Sequence, residues 1–375
     1  MRYYIIAGEA SGDLHGSNLI RELKKLDSDA VIRCWGGDKM QAAGGDLVKH
    51  YKDLAFMGFT EVLKNLRTIF RNLDFCKTDI LEFKPDALIL IDYPGFNLRI
   101  AKWAKQQELF KTSKIVFYIS PQVWAWKENR VKSMKECIDK MLVILPFEKD
   151  FYRDRWGWEV EYVGHPLLDV IDDFKSNNSN SRLPTPDSRL IALLPGSRKQ
   201  EILKKLPIML QVAKSFPTYK FIVAKAPGLD ESFYDEMLKP FVNVSYVSNK
   251  TYELLSKASA ALVTSGTATL ETALFGVPEV ICYKGNALSY QIAKRLIKIK
   301  FIGLVNLIMD KEVVKELIQN DLTAENLQRE LDLLLNDENK QMQVKEDYAA
   351  LKSLLSKGGN ASKNAATSII NFLKS

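Results

Sequence analysis

Two carboxylates occupy the loop that follows the first apolar run of the sequence. The run Tyr3–Ala7 leads into Gly8-Glu9-Ala10-Ser11-Gly12-Asp13, and a helical pattern follows. A strand, a glycine-containing loop and a helix are typical of nucleotide-binding units, because the helix N-terminus favours an anion. Glu9 and Asp13 would repel a phosphate. The loop therefore predicts a different role, in which an acidic side chain faces a substrate hydroxyl.

A second acidic loop follows the run Ala87–Ile91, where Asp92 opens the segment Asp92-Tyr93-Pro94-Gly95-Phe96-Asn97. If the two runs are neighbouring strands, Glu9 and Asp92 meet at the carboxyl edge of one sheet, where ligands bind in open α/β sheets. A carboxylate buried there beside another acid has a raised pKa, which suits a general base. Helix capping before Pro94 is the competing interpretation of Asp92.

A third loop adds aromatic and amide side chains to the same predicted edge. The run Ile115–Ile119 is followed by Ser120-Pro121-Gln122-Val123-Trp124-Ala125-Trp126. Trp124 and Trp126 suit either core anchors or flat surfaces for a sugar or a lipid chain, and at least one core position is expected. The predicted substrate-binding side chains of the three loops are Ser11, Asn97, Gln122 and Trp124.

A phosphate site is predicted in the second half of the chain, where Pro195-Gly196-Ser197-Arg198 lies between an apolar run and a helical pattern. Gly196 lets backbone N–H groups approach a phosphate, and the following helix N-terminus favours an anion. Ser197 adds a hydroxyl, and Arg198 adds a forked cation that matches phosphate oxygens. An ordinary turn with a surface arginine is the alternative, but a second loop supports the phosphate site.

That second loop, Ser265-Gly266-Thr267-Ala268-Thr269, again separates a strand-like run from a helix. Its small residues and hydroxyls suit a pyrophosphate at a helix N-terminus. The nucleotide-binding candidates in this loop are Ser265, Gly266, Thr267 and Ala268. Glu271 lies about one helical turn after Thr267 and is placed to reach a ribose diol. Taken alone, Glu271 would more often be an exposed helix residue.

The sequence lacks the motifs of several other nucleotide-binding and metal-binding classes. It has no G-x-G-x-x-G and no G-x-x-x-x-G-K-[ST], which argues against a dinucleotide enzyme and a P-loop nucleotide hydrolase. Its four cysteines show no C-x-x-C spacing and its three histidines no H-x-x-x-H, so no metal and no other cofactor is expected. The net charge of +7 fits anionic ligands or an anionic membrane surface, and no nucleic-acid partner is predicted.

Short β-branched runs alternate with helical patterns through most of the 375 residues. The predicted strands are Tyr3–Ala7, Ala30–Trp35, Ala87–Ile91, Ile115–Ile119, Lys140–Ile144 and Glu161–Val163, then Leu190–Leu194, Tyr219–Ala224, Val242–Val247, Ala260–Val263 and Glu279–Tyr283. Such runs, each followed by a turn and a helix, predict parallel sheets. The predicted fold class is therefore α/β, with two doubly wound Rossmann-like domains facing a central cleft.

The stretch 172–189 is rich in Ser, Asn and Pro and has no apolar period, so it is the predicted linker. It separates an acceptor-binding N-terminal domain, residues 1–171, from a nucleotide-binding C-terminal domain, residues 190–345. Residues 346–375 are predicted to be helical with a break at Gly358-Gly359. These C-terminal helices pack either on the N-terminal domain or on a partner subunit.

Two segments, residues 56–73 and residues 290–303, combine a wide apolar face with basic side chains. A core helix is the default interpretation of each segment. The alternative is a helix that lies at an anionic lipid surface, and the presence of two segments of this character strengthens it. No apolar run is long enough to span a bilayer, and the start lacks the form of a signal peptide. We therefore expect a cytoplasmic protein with peripheral membrane contact.

Eight segments, in the same order along the chain, resemble the signature segments of the lipid-A-disaccharide synthase family. They are AGEASGD, PDALILIDYPGFN, SPQVWAWKENR, LPFE, VGHPL, LLPGSR, SGTATLE and VNLI. They run from the first strand to about residue 317, and the combination of AGEASGD with SPQVWAW is specific. The end of the chain matches more weakly.

The resemblance implies a metal-independent, inverting glycosyltransferase of the GT-B fold, bound peripherally to the cytoplasmic face of the inner membrane. Such an enzyme transfers 2,3-diacylglucosamine from UDP to the 6-hydroxyl of 2,3-diacylglucosamine 1-phosphate. The products are UDP and the lipid A disaccharide 1-phosphate of lipopolysaccharide biosynthesis. The UDP-sugar is a substrate, so no cofactor is implied, and the C-terminal helices are the candidate contact of a homodimer.

The resemblance also assigns roles by position. Glu9 and Asp92 fall on acidic positions linked to catalysis, and Arg198 falls on a nucleotide-phosphate arginine. Asn306 falls on a functional polar position of the second domain, which makes it a substrate-binding candidate. Family members can carry a second acid after Asp92, where this chain has Gly95. The difference favours Asp92 as the base, with Glu9 as the second candidate.

Two other functions remain open on the sequence alone. The first is another GT-B enzyme, such as a UDP-sugar epimerase or a glycosyltransferase with a different lipid acceptor, and the order of the segments argues against it. The second is a non-catalytic protein that binds a UDP-sugar at a membrane surface. The acidic loops together with the two phosphate loops argue against that function.

Overall fold

A computed structural model of the chain describes residues 1–53, 66–177, 189–226, 229–286, 290 and 300–375. These residues form two α/β units. One unit contains residues 1–169 and 355–375, and the other contains residues 170–354. The predicted linker lies largely outside the described residues, and its first part belongs to a helix that ends at Asn177.

The first unit has a seven-stranded sheet in which every described strand pair is parallel. Its strands are β1 (Arg2–Ala7), β2 (Val31–Gly36), β3 (Asp46–His50), β4 (Ala87–Ile91), β5 (Lys114–Tyr118), β6 (Lys140–Val143) and β7 (Glu161–Tyr162). Its helices before the second unit are α1 (Ala10–Leu26), α2 (Asp38–Ala42), α3 (Leu66–Phe83), α4 (Pro94–Ala104), α5 (Arg130–Cys137), α6 (Pro146–Trp156) and the start of α7 (Pro166–Asn177). The strand order is β3-β2-β1-β4-β5-β6-β7.

The second unit repeats the design with a six-stranded parallel sheet of order β10-β9-β8-β11-β12-β13. Its strands are β8 (Leu190–Leu194), β9 (Lys220–Lys225), β10 (Val244–Ser248), β11 (Ala260–Thr264), β12 (Glu279–Tyr283) and β13 (Lys315–Ile318). Its described helices are α8 (Lys199–Ala213), α9 (Glu231–Leu238), α10 (Thr251–Leu255), α11 (Thr267–Phe275), α12 (Leu304–Met309), α13 (Ala324–Asn336) and α14 (Glu338–Ser356). A last helix, α15 (Ala361–Lys374), belongs to the first unit.

The apolar runs form the sheets because central parallel strands are covered by helices on both faces. Strands β4 and β8, with the sequences ALILI and LIALL, are buried at every position. Helix α15 contributes Ile369 and Ile370 to the core on one face of the first sheet. The helical end with a break at Gly358-Gly359 and apolar residues packing on the body is therefore confirmed.

Each sheet has a switch point, where the chain leaves two adjacent strands toward opposite edges. In the first sheet the adjacent strands are β1 and β4, with Ala7 beside Ile91. In the second sheet they are β8 and β11, with Leu194 beside Val263. Ligands of doubly wound sheets bind beyond the strand ends at such points.

All the predicted strands are confirmed, with ends that agree with the prediction or differ from it by one or two residues. The prediction missed β3 and β13, whose sequences are DLVKH and KELI. Both are edge strands of their sheets. Edge strands have one open side and carry charged residues there, so they lack the apolar run that marks a central strand.

Candidate functional site

Glu9 and Asp92 come together at the switch point of the first sheet. Asp92 directly follows the end of β4, and Glu9 lies two residues after the end of β1. Burial and the nearby charge of Glu9 raise the pKa of Asp92 to about 6. A carboxylate with such a pKa is ionised at neutral pH and still basic enough to accept a proton from a hydroxyl in a transition state.

The backbone at Asp92 is held in an unusual conformation. Asp92 and Tyr93 have φ of 45° and 48°, in the left-handed region that side chains other than Gly seldom adopt. The N-cap of α4 is Tyr93 and not Asp92, so helix capping does not account for Asp92. Two consecutive left-handed residues cost free energy, and such strain clusters at functional sites.

The side chain of Asn97 stabilises this strained turn through hydrogen bonds to backbone carbonyls. It is fully buried, and its amide Nδ2 donates to the carbonyls of Ile6 (3.4 Å), Ile91 (3.2 Å) and Asp92 (2.8 Å). The amide therefore ties the ends of β1 and β4 together. The geometry supports a positioning role for Asn97 in place of the predicted contact with substrate.

Gly8 makes room for the second residue of the turn. A Cβ at Gly8 would lie 2.2–2.6 Å from ring atoms of Tyr93, so the aromatic ring packs directly on the glycine backbone. Ser11, three residues after Gly8, is exposed in the first turn of α1. The absence of a side chain at Gly8 thus allows the Tyr93 ring, from the loop of Asp92, to pack on the loop of Glu9.

Asp13 does not join these acids, although the sequence places it in the same acidic loop. Its buried carboxylate accepts backbone N–H bonds from Gly37 (2.8 Å), Met40 (3.0 Å) and Lys39 (3.2 Å). These are the first N–H groups of α2, which need an acceptor. Asp13 therefore anchors one helix start, and only Glu9 of this loop remains for chemistry.

The loop after β5 places one tryptophan inward and one outward. Trp124 is half-buried, and Gln122 is exposed. Trp126 is 49% exposed, with the Lys127 ammonium 4.3 Å and the Arg130 guanidinium 5.6 Å from its ring centroid. Trp126 is therefore not a core anchor, whereas Trp124 is partly buried and partly accessible to solvent.

Glu148 is a buried acid that the sequence interpretation did not select. It lies in the first turn of α6, after β6, and its Oε1 accepts the indole N–H of Trp124 at 3.1 Å. Burial, together with the charge of Asp92, raises its pKa to about 7. The available signal was the segment LPFE at a strand end, which has a glutamate at the capping-box position.

The switch point of the second sheet opens into a cavity of about 310 Å³. Its lining includes all the predicted nucleotide-binding residues except Arg198: Gly196, Ser197, Ser265, Gly266, Thr267, Ala268 and Glu271. Gly196 and Gly266 have φ of 116° and 155°, conformations that favour glycine. The helices α8 and α11 both begin at this cavity, so two helix N-termini favour an anion there.

Arg198 lies next to the cavity at the N-cap of α8 and is exposed. Its guanidinium is 3.6 Å from the Glu201 carboxylate, which lines the cavity. Glu201 is also 3.9 Å from the ammonium of buried Lys205. Burial lowers the pKa of Lys205, and the nearby Glu201 charge acts in the opposite direction. Glu201 thus lies close to two cations, Arg198 and Lys205, at the candidate phosphate site.

Two of the predicted nucleotide-binding side chains already have partners. The Ser265 hydroxyl donates to the Ile302 carbonyl at 3.0 Å, so its contribution to a ligand would come from its small size. The Tyr252 hydroxyl donates to Glu271 at 2.8 Å, and burial raises the pKa of Glu271. Glu271 is thus oriented on the cavity wall and is not an ordinary exposed helix residue.

Asn306 is fully buried and connects to this cavity indirectly. Its Oδ1 accepts the N–H groups of Val313 (2.8 Å) and Val314 (3.0 Å), and its Nδ2 donates to Glu316 at 2.9 Å. Glu316 also accepts the N–H of Ile302 at 2.9 Å. Asn306 therefore orders the segment that Ser265 contacts, and the structure supports a positioning role in place of the predicted substrate contact.

Within the part of the chain that the structure describes, no group of three or more His, Cys, Asp or Glu side chains is arranged to hold a metal ion. In the same residues, no helix has the length and apolar character needed to span a membrane. Of the two basic apolar segments, residues 54–65 and 291–299 lie outside the description, so the predicted interfacial helices are described only in part.

Two doubly wound parallel units, one with acids and the other with a cavity at its switch point, define a protein of the GT-B fold class. The glycotransferase of kitacinnamycin has this fold with a TM-score of 0.66, at 13% identity over 99% of this chain and 98% of its own. UDP-GlcNAc 2-epimerase from Neisseria meningitidis, bound to UDP-GlcNAc, gives 0.64 at 12% identity over 95% and 100%. At such identities the likeness concerns the fold alone.

Sequence comparison defines the family. The model of the family described as lipid-A-disaccharide synthetase matches residues 3–370. Lipid-A-disaccharide synthase of Syntrophus aciditrophicus is 38% identical over 99% of this chain and 98% of its own. Lipid-A-disaccharide synthase 1 of Legionella pneumophila is 40% identical over 95% and 93%. The chain belongs to the lipid-A-disaccharide synthase family and is a glycosyltransferase of lipid A biosynthesis.

Proposed function

We propose that this glycosyltransferase moves 2,3-diacylglucosamine from its UDP conjugate to the 6-hydroxyl of 2,3-diacylglucosamine 1-phosphate, with inversion at the anomeric carbon. The observation that carries the proposal is the pairing of Glu9 with Asp92 at the switch point of the first sheet, where the pKa of Asp92 is raised to about 6. Family membership supports the substrate class.

The proposed step is a direct displacement. The acceptor oxygen forms a bond to the anomeric carbon while the bond between that carbon and the UDP oxygen breaks. The hydroxyl proton passes to a carboxylate oxygen of Asp92, and the electron pair of the broken bond stays on the departing diphosphate. Glu9 keeps Asp92 basic through its charge, and it remains the second candidate for the base.

The departing charge is stabilised at the cavity of the second unit. The N-termini of α8 and α11 and the Arg198 guanidinium supply the positive field that a leaving diphosphate requires. We propose that this field makes a metal cofactor unnecessary. A chelator should then leave the rate unchanged, and a loss that added Mg²⁺ restores would contradict this part of the proposal.

Incubation of the purified chain with the two diacylated substrates tests the proposed function. We expect equimolar UDP and disaccharide 1-phosphate, detected by chromatography and mass spectrometry, with the β-linkage that inversion of an α-linked donor produces. Formation of free sugar without disaccharide, or an epimerised UDP-sugar, would contradict the proposal.

Replacing Arg198 with alanine is expected to weaken UDP binding about 10- to 100-fold, because a charge-assisted hydrogen bond to phosphate is lost. Titration calorimetry with UDP measures the change. The matched control is Arg329→Ala, which removes another exposed arginine, on α13, that pairs with Glu330 at 3.2 Å. Equal UDP affinity in the Arg198 variant and the control would exclude a phosphate contact.

We also propose peripheral binding to the cytoplasmic face of the inner membrane through residues 56–73 and 290–303. In the described part of the first segment, Phe70 is 56% exposed beside Arg67 and Arg71, which suits an interface of anionic headgroups. The protein should sediment together with phosphatidylglycerol vesicles at low salt, and Phe70→Ser should reduce the vesicle-bound fraction, that is, the retention. Equal retention on phosphatidylcholine vesicles would contradict this proposal.

A further inference from the structure

Four neighbouring strands of the first sheet end at one edge, in the order β1, β4, β5 and β6. The loops or helix starts that follow them carry Glu9, Asp92, Trp124 and Glu148, respectively. The first two are the acids of the proposed transfer step. The other two are bonded to each other, through the indole N–H of Trp124 and Oε1 of Glu148 at 3.1 Å.

The surroundings of Glu148 are more demanding than helix capping requires. Its Oε2 accepts the N–H groups of Leu145 (2.9 Å) and Ile144 (3.2 Å), which caps the backbone at the start of α6. That function needs one oxygen and tolerates contact with water. Glu148 is 1% exposed, and burial of a carboxylate is costly unless its hydrogen bonds repay the loss of water. The second oxygen, Oε1, accepts the indole N–H of Trp124.

Trp124 is held from two directions by the first turn of α6. Besides the hydrogen bond to Glu148, its ring meets the Phe147 ring edge-on, with centroids 5.0 Å apart and planes at 89°. The ring stays half-buried, so part of it is left for a ligand. An indole fixed in this way presents a flat surface with one orientation.

We infer that Glu148 is a positioning residue of the transfer reaction, which fixes the Trp124 indole as a wall for the acceptor sugar next to Asp92. The inference rests on the proposed function, because it assigns Trp124 to the acceptor of that reaction. Three N–H donors converge on two oxygens, and an ionised carboxylate accepts all of them without adding a buried O–H group that needs its own acceptor. Glutamine has one acceptor oxygen and cannot replace it without loss.

The charge of Asp92 couples Glu148 to the reaction. Among the described titratable groups with a shifted pKa, Tyr152 on α6 and Tyr162 on β7 interact with the Glu148 charge, as Asp92 does. Both tyrosines are neutral at physiological pH, since burial raises their pKa values above the usual range. Proton transfer to Asp92 removes the neighbouring negative charge, which favours ionised Glu148 and its hold on Trp124.

Glu148→Gln should raise the KM for the acceptor about tenfold and leave the KM for UDP-2,3-diacylglucosamine unchanged, because a hydrogen bond to a charged group is lost on the acceptor side only. The matched control is Glu128→Gln, which makes the same substitution at a carboxylate that accepts the Trp156 indole N–H at 3.2 Å. An unchanged acceptor KM in the Glu148 variant, or an equal increase in the control, would overturn the inference.

Two further measurements test the inference, and the second of them does not need the glutamine variant. In a double-mutant cycle, Glu148→Gln should add nothing to the acceptor KM of Trp124→Phe, whereas additive effects would show that Glu148 does not act through Trp124. In ¹⁵N spectra of the unmodified protein, the indole resonance that disappears in Trp124→Phe should titrate with a midpoint near 7, the pKa of Glu148. A resonance that does not move between pH 6 and pH 8 would overturn the coupling, whether or not disaccharide is formed.

Discussion

Replacing Asp92 with asparagine is expected to reduce disaccharide formation about 10²- to 10⁴-fold, the range that a lost general base costs. Asparagine keeps the shape of the side chain and tolerates the left-handed φ of 45°. Its amide cannot accept the proton of the acceptor hydroxyl. UDP affinity should stay unchanged, because the candidate nucleotide cavity belongs to the second unit.

The rate of UDP release with both substrates present, combined with calorimetry of UDP binding, measures this prediction. The control Asp154→Asn changes an aspartate whose side chain is 60% exposed and pairs with Arg153, and it should behave like the unmodified protein. Glu9→Gln should cost less than Asp92→Asn if Glu9 acts through its charge. A full loss in the Glu9 variant with near-normal turnover in the Asp92 variant would reverse the two assignments.

Asp92→Asn is also expected to stabilise the fold, by at most about 3 kcal/mol above pH 6. The pKa of Asp92 is about 6 in the folded chain against 3.8 for the free side chain. Ionised Asp92 therefore destabilises the folded state fully at pH values above 6. Between pH 6 and 3.8 the folded state holds more protons than the unfolded chain, so the destabilisation shrinks, and below 3.8 it vanishes.

Urea unfolding of the variant and the unmodified protein at pH 8, 5 and 4 follows this dependence. The gain should be largest at pH 8 and small at pH 4, where the Asp92 carboxyl is neutral in the folded chain and partly ionised in the unfolded chain. A gain that is equal at all three pH values would show that backbone strain, and not the charge of Asp92, is what the substitution relieves. No gain at pH 8 would show that the carboxylate is not under electrostatic strain.

The architecture was predictable from the sequence because apolar runs and glycine-containing turns are local signals. Runs such as Ala87–Ile91 and Leu190–Leu194 are strands with the predicted bounds. The loop residues Gly196 and Gly266 have positive φ, a conformation that glycine adopts more readily than other residues. The edge strands β3 and β13 were not predicted, because their charged residues interrupt the apolar run that marks a central strand.

The roles of individual polar side chains were less predictable, because a side chain's partners come from distant parts of the chain. Asp13, Asn97 and Asn306 stand in or beside the predicted loops, yet each uses its polar atoms to hold backbone groups. Glu148 appeared in a recognised segment without a role. Its significance depends on burial and on Trp124, which lies 24 residues earlier in the chain.

By itself, the sequence determined the class of fold, the strand–loop–helix units and the residue types available at each strand end, since these follow from local pattern. Only the tertiary structure decided which strand ends are neighbours. The order of the first sheet places β1 beside β4 and thereby Glu9 beside Asp92, and that of the second places β8 beside β11. The physical reason is that strand pairing and burial are long-range: the pKa of Asp92 depends on a carboxylate and on packing that no local window contains.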